Sequence, residues 1–332
     1  MKLRRIISDR QYKTWPSYHI IYEWEDELSA ALRLPVFNNP EEEPKRFLYK
    51  KLKKIDDKIF SGKLIETWNE AVIFKKGSLY FEMHPRQKKG FSNSKKTTPL
   101  ILDFWERKNI THFKKIYDSC PVLLVTSLEA INFLKENNVR NELIHFPMSL
   151  PSIYKLNSAD VFEKKYDIVL AGRANPVLLD YLKQYEKEHP EIEYLQQIQK
   201  NGEHYYLSNK RGIVGKFHSR EEYISLIKQA KISFYSTPGI DGGEQRTNGF
   251  NPVTPRFLEL LSAGCHIIAR YPKNVETDFF QLETICPSIN SYQHFKAAVN
   301  TALCCPQPVA RNAEYLLSHY TSVRLKLLTQ FL

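Results

Sequence analysis

GFNPVTPRFLELLSAGCHIIA, residues 249–269, decides how this chain is read. Thr254 followed by Pro255 marks a helix start: threonine is a favoured cap, and proline's missing N–H does no harm at the first helical position. Phe257, Leu258 and Leu261 supply the buried sides, and Gly264 closes the helix. Residues 265–269 (CHIIA) then read as a strand. The free N–H groups and dipole at such a helix start favour an anion. Arg256 sits in that first turn, where a cation opposes the dipole, so an anionic ligand between helix end and guanidinium reconciles the two. Glu259, three residues on, shares a face with Arg256. A carboxylate there can accept two hydrogen bonds from a vicinal diol such as a ribose. The plainer alternative is a surface Arg–Glu pair.

Upstream, strands and helices alternate. Residues 167–171 (DIVLA) form a continuous apolar strand bounded by Gly172. Residues 176–188 read as a helix, with Asn175 as cap and Pro176 at its first position. Residues 194–198 and 212–215 are weaker strand candidates. Residues 219–230 form a helix opened by a capping box, Ser219-x-x-Glu222, with Tyr223, Leu226, Ile227 and Ala230 on one face. Residues 232–235 are a strand, and a long loop runs over 236–253. This spacing predicts a parallel sheet with helices on both faces, binding ligands beyond the carboxyl ends of its strands. Gly172 lets a ligand approach the backbone there, and the planar fork of Arg173 suits a phosphate. Arg246, at the end of the glycine-bearing run 238–246, joins them. No G-x-G-x-x-G and no Walker sequence occurs, so nicotinamide and P-loop readings lose support.

The first half is less regular. Residues 23–34 and 45–68 read as helices, 79–83 and 100–104 as strands, 110–118 as a helix, 122–126 as a buried strand and 127–137 as a helix capped by Ser127. A stretch with two prolines and no clear period, 147–163, marks the domain boundary. Two residues at strand ends are candidates for a general base: Asp103 in LILDFW (100–105) and His84 in FEMHP (81–85). A cap or a satisfied structural residue is the alternative for each.

The whole chain has 332 residues, 42% of them hydrophobic and 26% charged, as in a globular protein of two domains. The net charge of +11 is one-sided, with 28 basic and 19 acidic residues in 1–155 against 20 and 18 in the remainder. Such a field attracts nucleic acid, anionic lipid or phosphorylated substrates. No apolar run reaches the ~18 residues of a bilayer span. The basic N-terminus lacks the apolar core of a secretory signal. Five irregularly spaced cysteines make no disulfide framework or zinc pattern, which points to a reduced, cytoplasmic chain.

The order and spacing of YDIVLAGR (166–173), VGKFHSREEYISLIKQAKISFYSTPG (214–239) and NPVTPRFLELLSAGCHIIA (251–269) resemble the nucleotide-sugar-binding half of GT-B glycosyltransferases. The likeness is to the glycosyl transferase group 1 (GT4-like) set, including its spore-maturation-protein-like branch, and covers about residues 120–332. It implies an α/β fold of two Rossmann-like parallel-sheet domains facing a central cleft: 1–150 on the acceptor side, 151–310 on the donor side, and 311–332 as a helix crossing back. It implies that Glu259 binds the nucleotide ribose, that Arg173, Val253, Thr254 and Arg256 hold the diphosphate, and that Lys216 and Phe217 flank the base. Asn251 stands where retaining members carry a second glutamate, so neither that outcome nor the sugar contact carries over. The glycine-rich loop usual after the first N-terminal strand is also missing from residues 1–30.

The expected activity is transfer of a sugar from a nucleoside-diphosphate donor to a glycan or lipid-linked acceptor in bacterial cell-surface polysaccharide synthesis. Neither a metal nor a cofactor is expected, nor a nucleic-acid partner; an anionic membrane surface is an expected partner of the basic half. The competing readings are a non-catalytic GT-B partner protein and a basic nucleic-acid-binding protein.

Overall fold

A computed structural model describes residues 2–39, 46–59, 77–85, 94–105, 107–200, 203–217, 219–329 and 331. The chain divides into two compact units, residues 1–147 with 321–332, and residues 148–320. The divisions fall at Pro147/Met148 and Tyr320/Thr321, where the sequence places them after 150 and 310.

The first unit contains β1 (Arg5–Ser8), α1 (His19–Leu32), β2 (Val36–Asn38), α2 (Arg46–Ile59), β3 (Ser78–Glu82), β4 (Thr97–Ile101), α3 (Ile110–Tyr117), β5 (Val122–Val125), α4 (Leu128–Glu136) and β6 (Glu142–His145). Its sheet order is β2-β1-β3-β4-β5-β6, all parallel. Every residue of β3, β4 and β5 is buried, and apart from Glu82 at the end of β3 these strands carry apolar residues or small hydroxyl ones. The sequence reading missed β1 and β2, each too short to show a period. It also started β4 after Pro99, yet Pro99 lies inside the strand, opposite Tyr80. The expected helix 45–68 is helical over Arg46–Ile59, and residues 60–68 lie outside the described residues.

Polar groups fill the carboxyl end of this sheet. Asp9, just past β1, is 5% exposed and accepts hydrogen bonds from Asn39 Nδ2 (2.7 Å) and the Tyr80 hydroxyl (2.7 Å), with Lys13 as its cation. Glu25 on α1 is 1% exposed and pairs with Arg10 at 3.0 Å. Burial pushes its carboxyl up to about 7, against the opposing pull of Ser8 and Arg10. Glu82 accepts from the Tyr117 hydroxyl at 2.7 Å.

The second unit contains β7 (Tyr166–Leu170), α5 (Pro176–Glu188), β8 (Tyr194–Lys200), β9 (Glu203–Ser208), β10 (Gly212–Phe217), α6 (Arg220–Lys228), β11 (Ala230–Ser236), α7 (Pro255–Ser262), β12 (His266–Arg270), α8 (Val275–Phe279), α9 (Leu282–Ile285), α10 (Tyr292–Cys304) and α11 (Val309–Leu316). The sheet order is β10-β9-β8-β7-β11-β12. All strands run one way except β9, which is antiparallel to both β8 and β10. An all-parallel sheet was expected, and β9 (EHYYLS) was unread because its polar and aromatic residues make no apolar run. The Asn175 and Ser219 caps form as expected, accepting from Leu178 N (3.0 Å) and Glu222 N (3.1 Å). The buried face of α6 differs, however: it is Arg220, Ile224 and Ile227, and Ala230 belongs to β11.

Residues 311–331 are not one helix. α11 ends at Leu316 and packs on α7, with Asn312 Nδ2 donating to Leu261 O (3.2 Å) and Cys265 O (3.3 Å). The chain turns at Tyr320, whose hydroxyl accepts from Leu156 N at 2.9 Å. A closing helix, Thr321–Thr329, then packs on α1 of the first unit.

Candidate functional site

The second sheet reverses its winding between β7 and β11: from β7 the chain moves out to β8, and from β11 it moves the other way to β12. Ligands of open α/β sheets bind outside the carboxyl ends of the strands at such a point. Gly172 and Arg173 follow β7 there, and the loop 237–253 follows β11. β10 runs parallel to β7, so Lys216 and Phe217 end on this same edge.

Gly172 adopts φ +79°, and a Cβ placed on it would stand 2.4 Å from Arg256 Nη2. Only glycine therefore lets this guanidinium lie against the strand end. Arg256 Nη1 donates to Arg173 O at 3.4 Å. Arg173 Nη2 meets Glu244 Oε2 at 2.8 Å, and Arg246 Nη2 meets that same oxygen at 2.8 Å. Arg246 Nε also donates to Glu244 Oε1 at 2.9 Å. These hydrogen bonds from Arg246, aided by the charge of Arg173, hold the Glu244 carboxyl down at about 2. Gly172, Arg173, Arg246 and Arg256 are thus brought into one cluster. The side chains of Arg173 and Arg246 remain 51% and 64% exposed, while that of Glu244 is 10% exposed.

The other expected donor residues have different surroundings. Glu259 is 5% exposed, and its cation is Arg220, at 2.7 Å from Oε1, rather than Arg256. The Tyr223 hydroxyl donates to Oε2 at 3.1 Å. The surface Arg256–Glu259 pair is therefore not formed. Thr254 makes no side-chain cap bond; its backbone N–H donates to the Tyr235 hydroxyl at 3.1 Å, and Val253 is buried. Asn251 pins the loop, accepting from Thr237 Oγ1 (2.9 Å) and donating to Gly249 O (3.0 Å). Lys216 pairs with Glu203 across the β9–β10 hairpin. Phe217 ends β10, and its side chain lies outside the described residues.

Sequence reading missed Arg220, Tyr223 and Glu244. Arg220 carried a signal: like Arg256, it is a cation in the first turn of a helix, where the dipole disfavours it unless an acid faces it.

On the first unit, the two base candidates meet. His84 and Asp103 lie just past the ends of the paired strands β3 and β4, with Nδ1 and Oδ2 3.8 Å apart. The His84 ring is 4.5 Å from that of Trp105. His84 is 45% exposed and Asp103 25%. Among the described residues no group of three or more His, Cys, Asp or Glu is placed to hold a metal ion. None of the described helices is long and apolar enough to cross a membrane.

No family model and no curated protein matches this sequence. Solved structures match the fold. A trehalose-6-phosphate synthase studied with bisubstrate glycomimetics is 10% identical, with 98% of this chain and 99% of that one covered at a TM-score of 0.53. A UDP-forming α,α-trehalose-phosphate synthase from Burkholderia vietnamiensis is 8% identical, with 97% and 85% covered at 0.52. The S. aureus MnaA–UDP structure is 10% identical, with 100% and 98% covered at 0.50. The fold is GT-B. The chain spans only 59% and 58% of two other matched structures, a GtfA/B complex and the pneumococcal O-GlcNAc transferase GtfA. In this GT-B protein the arginine cluster belongs to the second Rossmann-like unit and the His84–Asp103 pair to the first.

Proposed function

We propose that this protein is a glycosyltransferase that takes its sugar from a nucleoside diphosphate. The observation that carries the reading is the convergence of Arg173, Arg246 and Arg256 on the carboxyl edge beside the β7/β11 reversal. Planar guanidinium forks match phosphoryl oxygens, and they stabilise the charge that a departing diphosphate develops. That supplies the leaving-group stabilisation from the chain's own residues, without calling on a metal or cofactor. Glu259 takes the ribose in this reading: an ionised carboxylate has about four acceptor positions, and Arg220 and Tyr223 use two. Lys216 and Phe217 flank the base.

In the reaction, the acceptor hydroxyl oxygen bonds to the anomeric carbon while the bond from that carbon to the diphosphate oxygen breaks. The bonding electrons leave with the diphosphate. His84 removes the hydroxyl proton, with Asp103 facing Nδ1 and leaving Nε2 to act as the base. Calorimetry with UDP as probe tests the donor half of the reading: Arg173→Ala and Arg256→Ala should each weaken binding about tenfold, ~1.4 kcal/mol. Unchanged affinity in both would remove the assignment.

The acceptor side is a glycan or lipid-linked glycan of the bacterial cell surface, in line with the likeness to the spore-maturation branch, which rests on sequence alone. The place of work is the cytoplasmic face of the membrane. Helix α2 favours this, because Leu52, Ile55 and Ile59 are 54%, 52% and 65% exposed beside exposed Lys51, Lys54 and Lys58. A basic helix with a bare apolar stripe suits an anionic leaflet better than nucleic acid, which would need the charges alone. A second reading, a non-catalytic GT-B partner protein, is favoured by Asn251, a loop pin where a catalytic glutamate is usual in the resembling set. Transfer or hydrolysis of any nucleotide sugar excludes it.

A further inference from the structure

Glu244 has no part in the chemistry above, yet it is the group on which two of the three arginines converge. Arg246 grips it as a fork, with Nε on Oε1 (2.9 Å) and Nη2 on Oε2 (2.8 Å), and Arg173 adds a third charged contact at 2.8 Å. A carboxylate held by two guanidinium groups offers them a pair of anionic oxygens for fork-shaped hydrogen bonding, as a tetrahedral and more highly charged phosphoryl group also does. We propose that Glu244 is an internal competitor for the diphosphate: its carboxylate takes the guanidinium donors that a phosphoryl group would use, and donor binding exchanges one anion for the other.

Three features of the loop support the exchange. Its backbone is held on both sides of Glu244. Asp241 is held by Arg270 (2.5 and 2.8 Å) and by Asn175 Nδ2 (2.9 Å), and Thr247 Oγ1 bonds to Glu244 O at 2.9 Å. Asp241 and Asn248 sit in the left-handed region, at φ +53° and +52°, which a loop keeps only when its surroundings over-determine it. The side chains of Arg173 and Arg246, in contrast, are more than half exposed, so their forks can turn outward without crossing packed protein. The charges are also unequal: Arg173 and Arg246 share the one carboxylate of Glu244, and Arg256 lies beside them on Arg173 O, so the cluster keeps a positive excess that draws in a second anion.

The exchange gives the site a selectivity. A monoanion that replaces Glu244 gains about what it displaces. A diphosphate brings more charge and more acceptor oxygens than the carboxylate it removes, and only that surplus appears as affinity. Glu244 thus suppresses occupation by small monoanions and sets the nucleotide affinity below the value the arginines alone would give.

This inference rests on the diphosphate-site reading, and one experiment separates the two. Calorimetry on the full chain uses inorganic pyrophosphate and UDP as probes with wild type, Glu244→Gln, Glu244→Ala and Arg173→Ala. Both Glu244 variants should bind pyrophosphate at least about fivefold more tightly, since each removes a charge that opposes the ligand. Equal or weaker binding in both overturns the competitor while Arg173→Ala still weakens UDP. If Arg173→Ala leaves UDP binding unchanged, the diphosphate site itself falls, and the competitor with it. Should the Glu244 variants not fold, hydrogen exchange on wild type decides: saturating pyrophosphate should raise exchange at the Arg246 amide, which donates to Glu244 Oε1 at 3.2 Å, and an unaltered pattern overturns the proposal.

Discussion

At the strand reversal of the first sheet, Asp9 and Glu25 are shut inside protein, 5% and 1% exposed, each beside a cation. At the reversal of the second, Arg173 and Arg246 keep half or more of their surface in solvent and converge on one carboxylate. Both sheets reverse their winding there, and the chemistry is opposite. A charge closed off by its own partners organises its surroundings and offers a ligand little. A guanidinium at the surface costs little to re-aim, so it can trade partners. The second unit contains both kinds: the Arg220–Glu259 pair is internal, with side chains 10% and 6% exposed, and lies on the helix pair next to the exposed cluster.

The hardest blow to this contrast would come through Arg220. Arg220→Ala strands Glu259 as a buried charge without its cation and should cost about 3–5 kcal/mol in denaturant unfolding. Arg173→Ala, at a solvent-exposed position, should stay within about 0.5 kcal/mol of wild type. Equal losses would erase the distinction between internal and tradeable charges. Next in size, His84→Ala should lower sugar transfer about a hundredfold while leaving the UDP Kd unchanged, because the base sits on the other unit. A parallel loss of UDP binding would break that separation. Gly172→Ala displaces Arg256 from its seat and should weaken UDP binding about tenfold, ~1.4 kcal/mol.

A last contrast is a matter of pH. The folded-state value of Glu25, raised by burial to about 7 from 4.5, means that its contribution is full below about 4.5 and is lost as pH rises toward 7. Glu244, lowered to about 2, behaves in the opposite sense: its contribution is full above about 4.5 and is lost as pH falls toward 2. Melting curves of Glu25→Gln against wild type should therefore tilt in favour of the variant as pH rises from about 4.5 to 7, and those of Glu244→Gln should converge on wild type only in acid.

The fold was legible where one residue decides one geometry. Asn175-Pro176, Ser219 and Thr254-Pro255 placed three helix starts within a residue, and the continuous apolar runs 167–171 and 265–269 placed strands β7 and β12. What stayed hidden lacked a local signal. β1 has four residues, β2 has three, and β9 (EHYYLS), partly exposed and one strand in from the sheet edge, has no apolar run. The site was legible as a set of strand-end residues, because Gly172, Arg173 and Arg256 are each odd for their position. Their partners were not. Glu244 and Arg173 are far apart in sequence, and nothing local says that Glu259 turns to Arg220 on another helix. Pairing is a property of the packed units, and it redirected the one contact, Arg256 to Glu259, that helical spacing had favoured.

The closing helix has a consequence for how the molecule is made. Residues 148–320 are one unbroken stretch and hold all of their own strands, so that unit can finish folding as soon as it leaves the ribosome. The first unit has six strands early and still waits for Thr321–Thr329 to cover α1 and for Phe331 O to accept from Leu3 N at 2.5 Å. The half translated first is therefore the half completed last.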